Sequence, residues 1–389
     1  MALRLSLLLL LAILPCIVHP ISAAANGRAL AESVDAAFWL YEAWPRSQKP
    51  ARARAPNGFA HHLRLGMGTP PLNSTFVFDT VGALPWAQCQ PCVHCLPQEG
   101  AIYNPLKSTS FVNLTCPSAG GTGCPYNFSY GGDAFTSGYL ATETLTVFGR
   151  SFKNITFGCG TLNQGYYDNV AGALGLGRGN LSVPNQLGVD TFGYCFAPRA
   201  TFFFFGSPPQ LVPNTIAATT PIVENPALPS GYFVRLVSVT VGPTSIDVPA
   251  ASDLLIDSKS PFTFLEPATY ALVREALVAQ LKPLKEASSA ACGAVGLDLC
   301  FEADNSTNAT PPEVTLRFDG DANLMVSEYL VEMSSRRLLC LAMLPSSKGS
   351  FPVLGRRVLM GTPVIYDLAK NVISFQPVDC ATFGATFAR

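Results

Sequence analysis

Phe76-Val77-Phe78-Asp79-Thr80 and Leu254-Leu255-Ile256-Asp257-Ser258 decide how this chain is read. Each is a short apolar run of strand character that ends in an aspartate and a hydroxyl residue. About a hundred residues further on, Ala173-Leu174-Gly175-Leu176-Gly177 follows the first run and Val353-Leu354-Gly355 follows the second, so each half also carries an apolar pair ending in glycine. A pattern that recurs once per half predicts two related lobes. At 389 residues the chain exceeds the size at which one hydrophobic core stops growing, which points the same way.

An aspartate at the end of an apolar strand is costly to bury unless it is hydrogen-bonded, paired or functional. Two of them, one per half, predict a pair. If the lobes face each other across an approximate twofold axis, Asp79 and Asp257 meet at the floor of a cleft. Like charges about 3 Å apart cannot both ionise, so they share one proton. The ionised partner then takes a proton from water while the protonated one donates to a carbonyl. That is amide hydrolysis without a covalent intermediate, and its two titrations belong to the pair.

The composition fits packed lobes: 48% hydrophobic and 13% charged residues exclude a disordered chain. A formal net charge of -1, with no basic stripe, argues against nucleic acid and against attraction to an anionic membrane. Residues 1–24 read as a signal peptide: Arg4, the apolar run Leu5 to Leu14, then Ser22, Ala23 and Ala24 for cleavage. Pro15, His19 and Pro20 interrupt that run, which speaks against a membrane anchor. The end at Phe387, Ala388 and Arg389 lacks the hydrophobic tail of a GPI signal. An exported product, secreted or vacuolar, is therefore expected. Seven glycosylation sequons, at Asn73, Asn113, Asn127, Asn154, Asn180, Asn305 and Asn308, agree with that route.

Residues 25–58 lack a strand pattern and carry Arg46, Lys49, Arg52 and Arg54, which leaves a removable pro-segment and a plain linker both open. The expected lobes are 59–215, with Asp79, and 216–389, with Asp257. Strand character marks Phe76 to Phe78, Thr142 to Phe148, Phe152 to Phe157, Tyr232 to Val241, Val314 to Phe318 and Val372 to Phe375, so the chain is mostly β. One clear helix starts at Pro267 and carries Leu272, Val273, Ala276, Leu277, Gln280 and Leu281 at helical spacing; a short second one covers Val183 to Leu187.

Further motifs carry a family resemblance. They are GTPP at Gly68 to Pro71, FDT at Phe78 to Thr80, Trp86 followed by Cys89, Cys92 and Cys95, and SGYLATETLT at Ser137 to Thr146. FGCG at Phe157 to Gly160, GLGRG at Gly175 to Gly179 and YC at Tyr194 to Cys195 complete the first half. The second half supplies IDS at Ile256 to Ser258, LDLCF at Leu297 to Phe301, CLAM at Cys340 to Met343, LG at Leu354 to Gly355 and YDL at Tyr366 to Leu368. In this order they resemble a pepsin-type aspartic protease of the plant nepenthesin-like branch, from about His62 to Cys380. The resemblance implies a bilobal pepsin-like fold and a protein or peptide substrate, with no cofactor and no metal. It assigns Asp79 and Asp257 as the catalytic pair, Thr80 and Ser258 as the hydroxyls beneath it, and Ser260 as a further support. Tyr130 matches the flap tyrosine and Trp86 the tryptophan that steadies it; taken alone, either aromatic reads as core.

The motifs depart from the family's Asp-Thr-Gly-Ser and Asp-Ser-Gly-Thr. Here they read Asp79-Thr80-Val81-Gly82 and Asp257-Ser258-Lys259-Ser260, and the flap transposes Gly132 and Asp133. A β-branched Val81 in place of glycine predicts crowding against the opposing loop. A Lys259 ammonium about 5 Å from the pair, at an effective dielectric near 20, favours the doubly ionised form by about 3 kcal/mol, roughly two pKa units. Its stem could equally carry the charge out to solvent. Two functions follow: an acid endopeptidase working through Asp79 and Asp257, or an inactive pseudoprotease that keeps the cleft for binding, like the cereal xylanase inhibitors of the same fold.

Of twelve cysteines, Cys16 goes with the signal, and the odd remainder leaves one unpaired thiol or an intermolecular bond. Cys89, Cys92 and Cys95, with His94 among them, imitate a zinc knuckle, but thiols in a secreted chain are normally oxidised. The resemblance implies Cys89 with Cys92, Cys95 with Cys159, Cys116 with Cys124, Cys195 with Cys380 and Cys300 with Cys340, leaving Cys292.

Overall fold

A computed structural model describes residues 62–117, 123–131, 133–147, 149–165, 169–197, 200–206, 218–302, 310–333 and 336–380. The signal peptide, the 25–58 segment, Gly132, Phe148, the sequons at Asn305 and Asn308 and the C-terminal tripeptide lie outside the described residues.

The apolar run ending in Asp79 lies in the strand Leu72–Asp79, and the run ending in Asp257 closes the strand Thr244–Asp257. Each pairs in parallel with the apolar-pair strand of its own half. Phe78 faces Leu174 and Asp79 faces Gly175; Ile256 faces Leu354 and Asp257 faces Gly355. The glycines are there because the chain passes too close for a side chain. A Cβ on Gly175 would sit 2.5 Å from the carbonyl carbon of Leu84, and one on Gly355 would sit 2.0 Å from the carbonyl oxygen of Phe262. The repeat in the sequence is thus one structural unit built twice.

Around the first unit the strands form an eight-stranded sheet in the order His62–Met67, Leu72–Asp79, Gly172–Gly175, Trp86–Gln88, Arg150–Gln164, Ala134–Val147, Val112–Asn113, with Cys124–Gly131 paired to Ala134–Val147. The second unit sits in a seven-stranded sheet: Asn323–Val326, Val314–Phe318, Phe233–Val241, Thr244–Asp257, Val353–Gly355, Thr263–Leu265, Met343–Pro345. A five-stranded sheet draws on both halves, in the order Ala200–Phe205, Thr191–Ala197, Val364–Asp367, Val372–Phe375, Thr219–Pro221. Its Thr191–Ala197 and Val364–Asp367 strands are antiparallel, with Tyr194 opposite Val364. The chain is mostly β and two-lobed.

The core concentrates where that shared sheet meets the aspartate strands. The Phe78 ring lies 4.9 Å from Phe203, 5.1 Å from Tyr194 and 5.8 Å from Phe196, all edge-on. Phe192 stacks on Tyr366 at 4.4 Å, and the Tyr194 and Tyr366 hydroxyls hydrogen-bond at 3.1 Å. Edge-on and stacked pairs of this kind add about 0.5–1.5 kcal/mol each beyond area burial. The residue that immediately precedes Asp79 is therefore anchored in aromatic packing, which fixes the height of the carboxylate.

The helix Pro267–Gln280 has proline in its first turn, and its Glu266 cap accepts from the Ala268 and Thr269 amides at 2.9 and 3.2 Å. It buries Tyr270, Val273, Ala276 and Leu277; Leu272, counted among its apolar positions by spacing, is exposed. The short helix Val183–Leu187 also forms where expected, whereas Ser289–Gly293 and Arg356–Leu359 had no pattern to announce them. Among the described residues no helix is long and apolar enough to cross a membrane. The five described sequon asparagines, Asn73, Asn113, Asn127, Asn154 and Asn180, are all exposed.

Three disulfides join Cys116 to Cys124, Cys195 to Cys380 and Cys300 to Cys340. The other two correct the implied pairing: Cys89 bonds Cys159, and Cys92 bonds Cys95. Register decides it. Ala87 is the partner of Cys159 and Gln88 of Gly160 in parallel strands, and the Cys89 amide donates to the Gly160 carbonyl at 2.9 Å. That brings the Cys89 and Cys159 Cα atoms to 5.3 Å, an ordinary span for a disulfide. Cys92 and Cys95 are left to close the turn that follows. Cys292 is a free, buried thiol.

Candidate active site at the junction of the lobes

Thr80 and Ser258 lock the two aspartate turns together. The Ser258 amide donates to Thr80 Oγ1 at 3.1 Å, and the Thr80 amide donates to Ser258 Oγ at 3.1 Å. Each hydroxyl then donates to a carbonyl of the opposite strand: Thr80 Oγ1 to Ile256 at 2.9 Å and Ser258 Oγ to Phe78 at 2.7 Å. Both side chains are buried, so every one of these bonds is shielded from water.

Above this base, Asp79 Oδ1 accepts the Val81 and Gly82 amides at 3.0 and 2.8 Å, and Asp257 Oδ1 accepts the Lys259 amide at 2.9 Å. The two turns are alike, but their surroundings are not. The Asp79 side chain is 0% exposed, while that of Asp257 is 21% exposed. Asp79 Oδ2 is buried without a hydrogen-bond partner. Gly82 stands where the family carries a hydroxyl residue, and a Cβ there would lie 2.5 Å from that oxygen. The Asp79 carboxylate has turned into the space that residue 82 leaves empty.

The Lys259 ammonium lies between the acids. Its Nζ donates to Asp79 Oδ1 and sits 3.4 Å from Asp257 Oδ1. Of the two directions open to this side chain, inward and out to solvent, it takes the inward one. Burial works against the charge, but Asp257 and then Asp79 outweigh it, and the ammonium is held above the ordinary lysine value. The Tyr130 ring lies over the nitrogen, 5.3 Å from its centroid, within range of a cation–π contact. Tyr130 is positioned in turn by Trp86, whose Nε1 donates to the tyrosine hydroxyl at 2.6 Å. Lysine, both aspartates, tyrosine and tryptophan thus form one contiguous constellation.

Comparison with known proteins gives this constellation its family. Residues 62–207 match the family described as xylanase inhibitor N-terminal, and residues 231–377 match xylanase inhibitor C-terminal. Aspartic proteinase nepenthesin-2 of Nepenthes gracilis is 33% identical over 345 residues, covering 82% of this chain and 77% of that protein. The chain belongs to the pepsin-like aspartic protease family. Aspartyl protease family protein 2 of Arabidopsis thaliana is also 33% identical, covering 82% of this chain and 71% of its own length. Two solved structures share the fold: conglutin gamma, a basic 7S globulin from lupine seeds, with a TM-score of 0.65, 19% identity and coverage of 84% of this chain and 93% of that one; and basic 7S globulin from soybean, with a TM-score of 0.63, 19% identity and coverage of 85% and 94%.

Against the family pattern, one sequence-based expectation needs correction. Ser260 does not support the pair: its hydroxyl donates to the Phe262 carbonyl at 2.9 Å and serves the turn itself. The Val81 and Lys259 backbones keep the ordinary sign of φ, and the half-buried Val81 offers its amide to Asp79. At these two positions φ does not demand glycine, and the lysine brings a charge into the site.

Two features were not read from the sequence. Arg356, directly after the Leu354-Gly355 pair, is buried behind the second turn and donates to the Ser258 carbonyl at 3.3 Å. Its signal was a charge immediately after an apolar-glycine pair. Glu143, inside the SGYLATETLT stretch, is buried and receives the Tyr103 and Ser110 hydroxyls together with the Thr144 amide at 2.6 Å. Burial, then that carboxylate, drives the Tyr103 phenol far above its ordinary value. No spacing rule links these residues: Glu143 and Thr144 lie in the strand Ala134–Val147, and Tyr103 and Ser110 come from outside the named strands. Among the described residues no group of side chains has the make-up of a metal site.

Proposed function

We propose that this pepsin-fold chain binds polypeptide in its cleft without cutting it, as a pseudoprotease of the xylanase-inhibitor type. The observation that carries this reading is the Lys259 ammonium between Asp79 and Asp257. Amide hydrolysis by such a pair needs one shared proton and a water activated between the carboxylates. An ammonium in that position takes the place of both, because its charge favours the doubly ionised pair and its nitrogen stands between the carboxylates where the water would be held. The sealed Asp79 side chain, at 0% exposure, agrees: an acid that must meet substrate cannot be closed off. On this reading 1–24 is a cleaved signal, 25–58 a pro-segment or linker, and 59–215 and 216–389 the two lobes of a secreted or vacuolar glycoprotein monomer.

A second reading keeps the endopeptidase. It draws support from the retained acids, the Thr80 and Ser258 hydrogen bonds and the Trp86 to Tyr130 bond, all of which an active pair requires. The test is incubation of the mature protein with denatured globin across acid pH, with and without pepstatin, beside Asp79→Asn. Pepstatin-sensitive cleavage that Asp79→Asn lacks would overturn the binding reading in favour of the enzyme; well-folded protein that cleaves nothing supports it. Lys259→Gly combined with Gly82→Ser should gain pepstatin-sensitive cleavage if the lysine is the block.

A further inference from the structure

The sheet of the first lobe closes on itself. His62–Met67 pairs with Leu72–Asp79 on one side and with Ala134–Val147 on the other. With Gly172–Gly175, Trp86–Gln88 and Arg150–Gln164 between them, these strands complete a ring, and a ring has no open edge. Two strands stay outside it. Val112–Asn113 and Cys124–Gly131 both pair with Ala134–Val147, and among the described residues neither pairs with a strand on its other side. They run end to end: Asn113 faces Ala141, the Leu114 amide donates to the Leu140 carbonyl at 3.1 Å, and Cys124 faces Leu140. Together they form the open edge of this sheet.

An open edge is a template for a further strand. Val112–Asn113 is exposed on both faces, and its β-branched Val112 is 55% exposed. In Cys124–Gly131, Pro125 removes one donor and an irregularity between Ser129 and Gly131 disturbs the far end. Between them Tyr126, Asn127 and Phe128 keep regular register and leave the middle of the edge able to pair. Each of the two edge strands carries a sequon, Asn113-Leu114-Thr115 and Asn127-Phe128-Ser129, and both asparagines are exposed. We infer that N-glycans on Asn113 and Asn127 guard this edge and keep a second copy of the chain from adding its own edge to it.

An added strand must come to about 4.8 Å and bring its whole lobe behind it. A sugar chain rooted in the edge strand fills the volume that this lobe would need. Asn127 lies beside the midpoint of Cys124–Gly131, so in a twofold antiparallel pairing the glycans of both copies fall next to the axis, where the lobes come closest. The other described sequons lie elsewhere: Asn73 and Asn154 in strands of the ring, and Asn180 in the turn before Val183–Leu187. Cys124–Gly131 also carries Tyr130 over Lys259, so a copy added there would tie up the strand that roofs the acids. The guard serves an enzyme and a binder alike.

The test uses the full-length chain secreted from a eukaryotic host. Glycopeptide mapping should find sugar on both Asn113 and Asn127. Sedimentation over a concentration series then compares the wild type with Asn113→Gln/Asn127→Gln, Asn113→Lys/Asn127→Lys and Asn180→Gln. The glutamine pair loses both guards and should self-associate with a dimer dissociation constant at least about tenfold lower than that of the wild type. The lysine pair loses the same sugars but sets charges on the edge, which block strand addition, so it should match the wild type. Asn180→Gln should match it as well. Where the glutamine pair is not secreted, the folded wild type trimmed to the first sugar by an endoglycosidase takes its place. Asn113 or Asn127 found bare in the wild type overturns the proposal, and so does a glutamine pair or trimmed wild type that associates no more than the glycosylated chain. Association of the lysine pair to the same extent as the glutamine pair overturns strand addition as the event that the sugars prevent.

Discussion

Lys259→Met keeps the length of the stem, removes the charge and leaves two carboxylates facing each other. At 3.4 Å and an effective dielectric of about 20, the attraction between the ammonium and Asp257 alone is about 5 kcal/mol, and Asp79 adds a second contact. Desolvation of the charges takes back much of that, so the measured loss should approach the about 3–5 kcal/mol typical of removing one partner from a buried ion pair. The loss should depend on pH in a particular direction. Near neutrality the variant holds two like charges in one site; in acid a proton shared between them replaces the missing ammonium. The folded variant then binds more protons than the unfolded chain, so its stability rises as pH falls. Denaturant unfolding of wild type and variant at about pH 7.5 and about pH 4.5 should give a deficit that shrinks by at least about half in acid. A deficit of the same size at both values, or none at either, would mean that the lysine does not bridge the acids.

Three further outcomes follow from the packing. Thr80→Val leaves the Ser258 amide and the Ile256 carbonyl without their buried partner and should lower the unfolding free energy by about 1–3 kcal/mol for each stranded group, measured by denaturant titration. Gly355→Ala places a methyl 2.0 Å from the Phe262 carbonyl oxygen, so it should destabilise by about 1–3 kcal/mol or more, visible as a lowered melting temperature. Burial leads the causes that raise the phenols of Tyr103, Tyr194, Tyr232, Tyr270 and Tyr366, and Tyr329 is pushed up to about 12. Their contribution is complete below about pH 10, where free tyrosine ionises, and is lost as pH rises through the folded values, at about 1.4 kcal/mol per pKa unit. Tyrosinate absorbance of the native protein should therefore lag that of the denatured chain; coincident titrations would contradict the burial.

Much of the fold was legible because it is set by local chemistry. An apolar strand ending in aspartate and hydroxyl, answered later by an apolar pair and a glycine, is a backbone requirement: Gly175 and Gly355 face Asp79 and Asp257 where no Cβ fits. A proline in the first turn and helical spacing likewise announce Pro267–Gln280. The tertiary structure alone decided which cysteine meets Cys159, because a disulfide follows strand register and not spacing along the chain. It also decided that the Ser260 hydroxyl turns to Phe262 and that Gly82 lets the Asp79 carboxylate rotate inward. Above all it decided the direction of Lys259. A four-carbon stem reaches solvent or the acids from the same backbone position, and only the field of Asp79 and Asp257, converging from opposite lobes, selects between them.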